Sequence, residues 1–300
     1  MLGWRLAISA ILIPVLITVF VFDHRTGAAA YYLLVLCLLL AARGVYEMTC
    51  LLRSETAVPS KWLTGVCALT IVLSGWSTHW EPSAASGMRA SLEALGPAAL
   101  VFSLSVLVLF LKGALVYREP GRSMPTLGAE LLIVSYVGVL LCVTAQLRWV
   151  AGAQAGYLAL GSLVIAAKSG DIGAYTLGRM FGKRKMVPRL SPGKTWMGAI
   201  GAVLGAGVGS VTWLRIAPPF FGFGWQPCDW FWSAAFGMTI GVVGLLGDLC
   251  ESLIKRDVGK KDSADLLPGF GGLLDLLDSV LYAGPIAYLL WLVFPLATWT

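Results

Sequence analysis

The chain has 300 residues, 58% hydrophobic and 13% charged, with a formal net charge of +6 and two histidines; its mean hydropathy is +0.80. A water-soluble domain carries roughly a quarter charged residues, so the composition argues against a soluble enzyme. With only His24 and His79 there is little room for a zinc site or a histidine-based triad. The six cysteines are scattered and form no C-x-x-C pair, which reads as apolar packing.

Along the chain the apolar residues arrive in nine blocks: 6–22, 28–42, 62–76, 95–111, 131–147, 157–167, 196–214, 231–246 and 280–297. Each approaches the ~20 residues that cross a bilayer as a helix. Helix is the required form, because a backbone group left unpaired in hydrocarbon costs several kcal/mol. The second, third and sixth blocks are short and borrow Gly, Ser and Thr neighbours. Asp23, His24 and Arg25 follow the first block where a cleaved signal peptide would need small residues, so an uncleaved first span is expected. The prediction is an all-α, polytopic integral membrane protein with about nine transmembrane helices.

The basic residues predict its orientation. With nine spans, Arg25, Arg89, Arg148 and Arg215 fall in one alternating set of segments, and the other eighteen Lys and Arg fall in the opposite set. The positive-inside rule then puts the N-terminus in the cytoplasm. The two halves also differ in kind. Residues 1–150 read as a transmembrane scaffold and hold six of the seven glutamates, whereas residues 151–300 hold eight of the nine aspartates. The second half reads as the catalytic region, with basic cytoplasmic loops at 178–195 and 252–272. Gly201, Gly205 and Gly209, four apart, suit close helix packing.

Chemistry-bearing residues gather in that half. Lys168 and Asp171, three apart, share a face if the sixth span continues as a helix, and charges at that depth point to a cavity or pathway. Ser191-Pro-Gly-Lys194-Thr195, read as a turn before a helix, offers N–H groups, a hydroxyl and an ammonium to a phosphate. It is not a Walker loop, since the first glycine is missing and no strand is expected before it. Asp248, Glu251, Ser252 and Lys255 recur at helical spacing as the eighth span ends, and Asp275 and Asp278 stand three apart where the ninth begins. Carboxylates at two helix ends suit Mg²⁺, which takes hard oxygen ligands and leaves room for substrate phosphates.

The stretch from Ser252 to Asp278 resembles the signature of the phosphatidate cytidylyltransferases, the CDP-diacylglycerol synthases. Ser252, Lys255, Arg256, Lys261, Asp262, Pro268, Gly271, Gly272, Asp275 and Asp278 fall in register with it. Asp171, Ala174, Tyr175, Gly178 and Arg179 also resemble the family, as do Ser191, Pro192, Lys194 and Thr195, and Gly247, Asp248, Glu251 and Ser252. Phe270 stands where the family has His, Leu276 where it has Arg, and Met197 where a Glu is common.

The resemblance implies attack of phosphatidate on the α-phosphorus of CTP, giving CDP-diacylglycerol and pyrophosphate for phospholipid biosynthesis. Catalytic roles fall to Asp248, Asp275, Lys255 and Arg256. Ser191, Lys194, Ser252, Lys261 and Asp262 would bind substrate, and Asp248, Asp275, Asp278 and Asp171 would serve Mg²⁺ or a pair of cations. The partners implied are CTP, phosphatidate and membrane lipid, with no nucleic acid, in a multi-pass protein of the bacterial inner membrane; a homodimer is suggested. Two other readings stand beside it: a CTP-dependent lipid kinase of the polyprenol type, and a non-catalytic relative acting as lipid transporter or scaffold.

Overall fold

The computed structural model describes residues 2–27, 29–80, 88–152, 155–221, 225–264 and 271–299. The protein is nearly all helical. Its helices are α1 (Leu2–Thr26), α2 (Tyr31–Leu52), α3 (Lys61–Ser74), α4 (Met88–Glu93), α5 (Gly96–Leu115), α6 (Ser123–Ile133), α7 (Leu140–Gln146), α8 (Leu158–Phe181), α9 (Trp196–Ile216), α10 (Trp230–Asp257) and α11 (Leu274–Val293). A π-helical turn, Val134–Val139, joins α6 to α7. Each of the nine apolar blocks overlaps a helix among the described residues. Among the described residues, six helical segments are long and apolar enough to cross a membrane: Tyr31–Leu52, Ala90–Leu115, Ser123–Gln146, Trp196–Ile216, Trp230–Asp257 and Leu274–Val293. Helix α3 is apolar but shorter. Large apolar side chains such as Leu100, Leu107, Leu204 and Val208 are exposed along these helices, as lipid-facing surfaces require. The protein is therefore embedded in a membrane.

The all-α expectation needs one correction. Strands β1 (Lys185–Val187) and β2 (Ser191–Thr195) form an antiparallel hairpin, with Lys185 opposite Thr195 and Val187 opposite Ser191. Ser191 to Thr195 is thus a strand rather than a turn, and a strand does precede it. The cause is local. Gly182 ends α8 where any Cβ would strike the Gly178 carbonyl and the Thr195 hydroxyl, so the chain folds back against its own helix end. Thr195 then caps α9, its side chain accepting from the Gly198 amide at 3.1 Å. A second hairpin pairs β3 (Trp225–Pro227) with β4 (Ala297–Trp299), so the last apolar block leaves its helix at Val293 rather than running to 297.

Two compact units divide the chain: residues 1–145 with 258–276, and residues 146–257 with 277–300. The segment Val258–Leu276 packs with residues 1–145 in the first unit. In that unit α3 lies at the centre, with Ala68, Ile71 and Val72 fully buried. Gly138 in the π-helical turn lets the backbones approach, since its Cβ would sit 3.1 Å from the Ala68 Cα.

In the second unit α9 lies between α8 and α10. Gly201, Gly205 and Gly209 face Gly173 and Ser169 of α8 at distances that admit no side chain, and Gly237 and Gly241 of α10 press on Ala206 and Ala202 of α9. The glycine stripe is used within the chain. A Cβ at Gly205 would collide with the Ser169 carbonyl and approach the Gly173 Cα; overpacking of this kind costs about 1–3 kcal/mol. Gly205→Val should therefore lower the thermal midpoint in detergent. Gly113→Ala, at a helical position with open space around it, should leave the midpoint unchanged or raise it.

Candidate active site

Helix α8 continues well beyond the expected end of its apolar block, and this carries Lys168 and Asp171 onto one face. Lys168 Nζ donates to Asp171 Oδ2 at 2.9 Å and to Ser279 Oγ of α11 at 3.3 Å. From the hairpin, Lys194 Nζ reaches Asp248 Oδ2 on α10 at 3.0 Å and the Leu245 carbonyl at 3.3 Å. Asp248 and Lys194 both lie within electrostatic reach of Asp171.

Asp278 completes the group. It is buried, hydrogen-bonded to Glu251, and within electrostatic reach of Asp248 and Lys168. Its Oδ1 also accepts from the Ser279 amide at 2.6 Å. Glu251 in turn accepts from Lys255 Nζ at 2.7 Å. Gly247 makes this convergence possible: a Cβ there would lie 2.6 Å from Tyr282 Cβ and 3.1 Å from the Asp278 carbonyl. Three ion pairs, Lys168–Asp171, Lys194–Asp248 and Lys255–Glu251, thus lie within electrostatic reach of one another or of Asp278 in the second unit.

Ser252 is half-buried on α10. Arg256 Nε donates to the Leu190 carbonyl at 3.4 Å, beside Ser191, which begins β2. In the first unit Lys261 and Asp262 are exposed. Asp275 is heavily engaged there, its Oδ2 accepting from Ser263 N at 2.9 Å, Ser263 Oγ at 2.7 Å and Gly272 N at 2.7 Å. Leu276 and Met197 are half-buried on α11 and α9. Pro268 and Phe270 lie outside the described residues.

Sequence reasoning assigned no role to Glu47, on α2. It is 1% exposed and accepts from the Leu273 and Leu274 amides at 3.0 and 3.1 Å. An acidic residue at membrane depth was a signal, but nothing local joins it to residues more than two hundred positions away.

The donor chemistry around Asp278 fits a hard divalent cation, because two carboxyl groups in hydrogen-bond contact need a proton or a cation between them. Among the described residues no three His, Cys, Asp or Glu side chains are close enough to hold a metal ion by themselves. Water and substrate phosphate would have to supply further ligands, as is usual for Mg²⁺.

A membrane-embedded helical protein with lysines and carboxylates paired at its helix ends defines a class, and comparison narrows it. Residues 4–294 match the cytidylyltransferase family, and the chain belongs to that family. It is 40% identical over 135 residues to the uncharacterized protein YnbB of Escherichia coli (strain K12), covering 45% of this chain and 43% of that one. It is 38% identical over 136 residues to the phosphatidate cytidylyltransferase of Mycobacterium leprae (strain TN), covering 44% and 40%. With the phosphatidate cytidylyltransferase of Brucella suis biovar 1 (strain 1330) it shares 37% identity over 139 residues, covering 46% and 48%. Each alignment spans less than half of the relative's length.

The Lys194–Asp248 pair is partly exposed, 19% and 30% for the two side chains, which limits its strength. A double-mutant cycle of Lys194→Ala and Asp248→Asn, read by thermal unfolding in detergent, should give a coupling of about 1 kcal/mol. Strict additivity would mean that the two groups do not meet.

Proposed function

We propose that the protein is a phosphatidate cytidylyltransferase, joining CTP and phosphatidate to give CDP-diacylglycerol and pyrophosphate. The observation that carries this reading is the group of three ion pairs in which Lys168, Lys194 and Lys255 are each held by a carboxylate. It is supported by membership of the cytidylyltransferase family and by the names of the Mycobacterium and Brucella relatives.

The reaction needs positioning and charge neutralisation more than proton transfer, because phosphatidate already carries an anionic oxygen nucleophile. The P–O bond to the α-phosphorus forms from that oxygen, and the bond to the β-phosphate oxygen breaks with pyrophosphate leaving. Lys194 and Lys168 each carry three donors, so they can keep their carboxylate partners while bonding phosphate oxygens. Lys255, Arg256 and Lys261 would neutralise triphosphate charge, Ser191 on β2 would bind substrate near Arg256, and Ser252 and Asp262 would orient these groups. Asp248, Asp278, Asp171 and Asp275 are the proposed holders of Mg²⁺, alone or with a second cation. When bound, the ion would withdraw charge from the phosphates.

In this reading the protein is a multi-pass component of a bacterial inner membrane, with nine spans, a cytoplasmic N-terminus and the basic hairpin on the cytoplasmic side. A homodimer would need an interface other than the glycine stripe, which packs on α8 and not outward.

Purified protein supplied with CTP, phosphatidate and Mg²⁺ should release pyrophosphate and form a labelled liponucleotide. Asp278→Asn and Asp275→Asn should each abolish both products without removing the protein from the membrane. Release of CDP with a phosphorylated lipid would instead identify a kinase, and no product from folded protein would point to a non-catalytic relative. Orientation has its own test. Single cysteines introduced at Lys183 or Arg189, in a background lacking the native cysteines, should react with a membrane-impermeant maleimide only after the cytoplasmic face is opened; labelling of intact cells would reverse the topology.

A further inference from the structure

Glu47 lies in the half of the chain that reads as scaffold, yet most of its bonds go to the segment around the proposed catalytic signature. Its Oε1 accepts from Leu273 N at 3.0 Å and from Arg43 Nε at 2.9 Å. Its Oε2 accepts from Leu274 N at 3.1 Å and from Ser263 Oγ at 3.3 Å. Leu274 opens α11, so these amides belong to the helix start, where N–H groups have no intrahelical acceptor and favour a negative charge.

The same serine ties Glu47 to Asp275. Ser263 Oγ lies 2.7 Å from Asp275 Oδ2, and its one proton can serve only one carboxylate fully at a time. Gly272 sits in the same small space: a Cβ there would run into Ser263 Oγ and within 2.5 Å of Glu47 Oε2. The Gly272 amide is itself bound to Asp275 at 2.7 Å. Two carboxylates therefore divide the donors of Ser263 and residues 272–274 between them, and a side chain at Gly272 would strike both Ser263 and Glu47.

We propose that Glu47 is a positioning residue for the cytidylyl transfer, holding the first turn of α11 and, through Ser263, the carboxylate of Asp275. This inference rests on the reading of Asp275 as a group of the active site. Glu47 does not touch substrate; it acts by fixing where Asp275 points. Arg43 balances its charge from the α2 side, with its side chain 33% exposed while that of Glu47 is 0% exposed.

Glu130 provides the control. It is also 1% exposed and paired with a lysine, Lys112 at 2.7 Å, and it accepts from the Ser60 amide at 2.8 Å. A loss that comes only from removing a buried carboxylate would be shared by both residues. The experiment measures pyrophosphate release and amide hydrogen exchange in wild type, Glu47→Ala, Glu47→Gln and Glu130→Gln. Misplacement near reacting groups costs on the order of 100-fold in rate. The expected result is a fall of about that size in kcat for Glu47→Ala, with KM for CTP changed less than about 3-fold. Glu47→Gln, which keeps the shape and one acceptor oxygen, should fall in between. Exchange should rise in the peptides bearing Ser263 and Gly272 to Leu274 in the Glu47 variants, and Glu130→Gln should keep kcat within about 2-fold of wild type.

Wild-type kcat in folded Glu47→Gln and Glu47→Ala would overturn the proposal, as would an equal loss in Glu130→Gln. If the wild-type protein makes no liponucleotide, the functional reading fails instead. Hydrogen exchange then still decides whether Glu47 holds the turn: unchanged protection of Leu273 and Leu274 would remove it from that role.

Discussion

A charged side chain beside hydrocarbon is costly unless a second group meets it, and this requirement organises both units of the protein. Buried Asp23 receives the Tyr32 and Leu33 amides at the start of α2. Glu130 meets Lys112 and the Ser60 amide. Glu47 meets Arg43 and the opening of α11. In each case a carboxylate satisfies backbone donors that a helix start leaves open, so one contact settles two desolvation problems. Around Asp278 the carboxylates of Asp171, Asp248 and Glu251 instead each hold a lysine, and Glu251 also meets Asp278.

Glycine supplies the geometry for that second arrangement. Hydrophobic burial gives little drive between helices already surrounded by lipid, so close contact depends on small residues and backbone proximity. The contacts of Gly201, Gly205 and Gly209 with α8, and of Gly237 and Gly241 with α9, bring three helices together. Gly247 does the same for α10 and α11, one residue before Asp248. The charged groups converge because the helices bearing them can approach so nearly.

Much of this was legible in the chain. Every long apolar block became a helix, since composition alone forces that outcome in a membrane. The spacing of Lys168 and Asp171 anticipated their ion pair, and the family motifs named the carboxylates. Elsewhere local pattern misled. The Ser191–Thr195 segment looks like a turn because Pro192 and Gly193 are turn residues, but pairing with Lys185–Val187 and the tight seat at Gly182 extend it. The Lys194–Asp248 pair and the role of Glu47 depend on contacts between distant positions that carry no local signature. That Asp275 receives three donors is likewise something periodicity cannot reveal.

The path of the chain through the two units has a consequence for how the protein is made. Residues 258–276 belong to the first unit, although more than a hundred residues of the second are synthesised before them. At translation speeds of roughly 5–20 residues per second, α2 waits on the order of ten seconds for this segment. During that interval Glu47 has Arg43 beside it but lacks the Leu273 and Leu274 amides. The N-terminal helices are thus inserted as an unfinished body, closed only when the end of the chain returns to it, and neither half of the polypeptide cut near residue 150 would contain a complete unit.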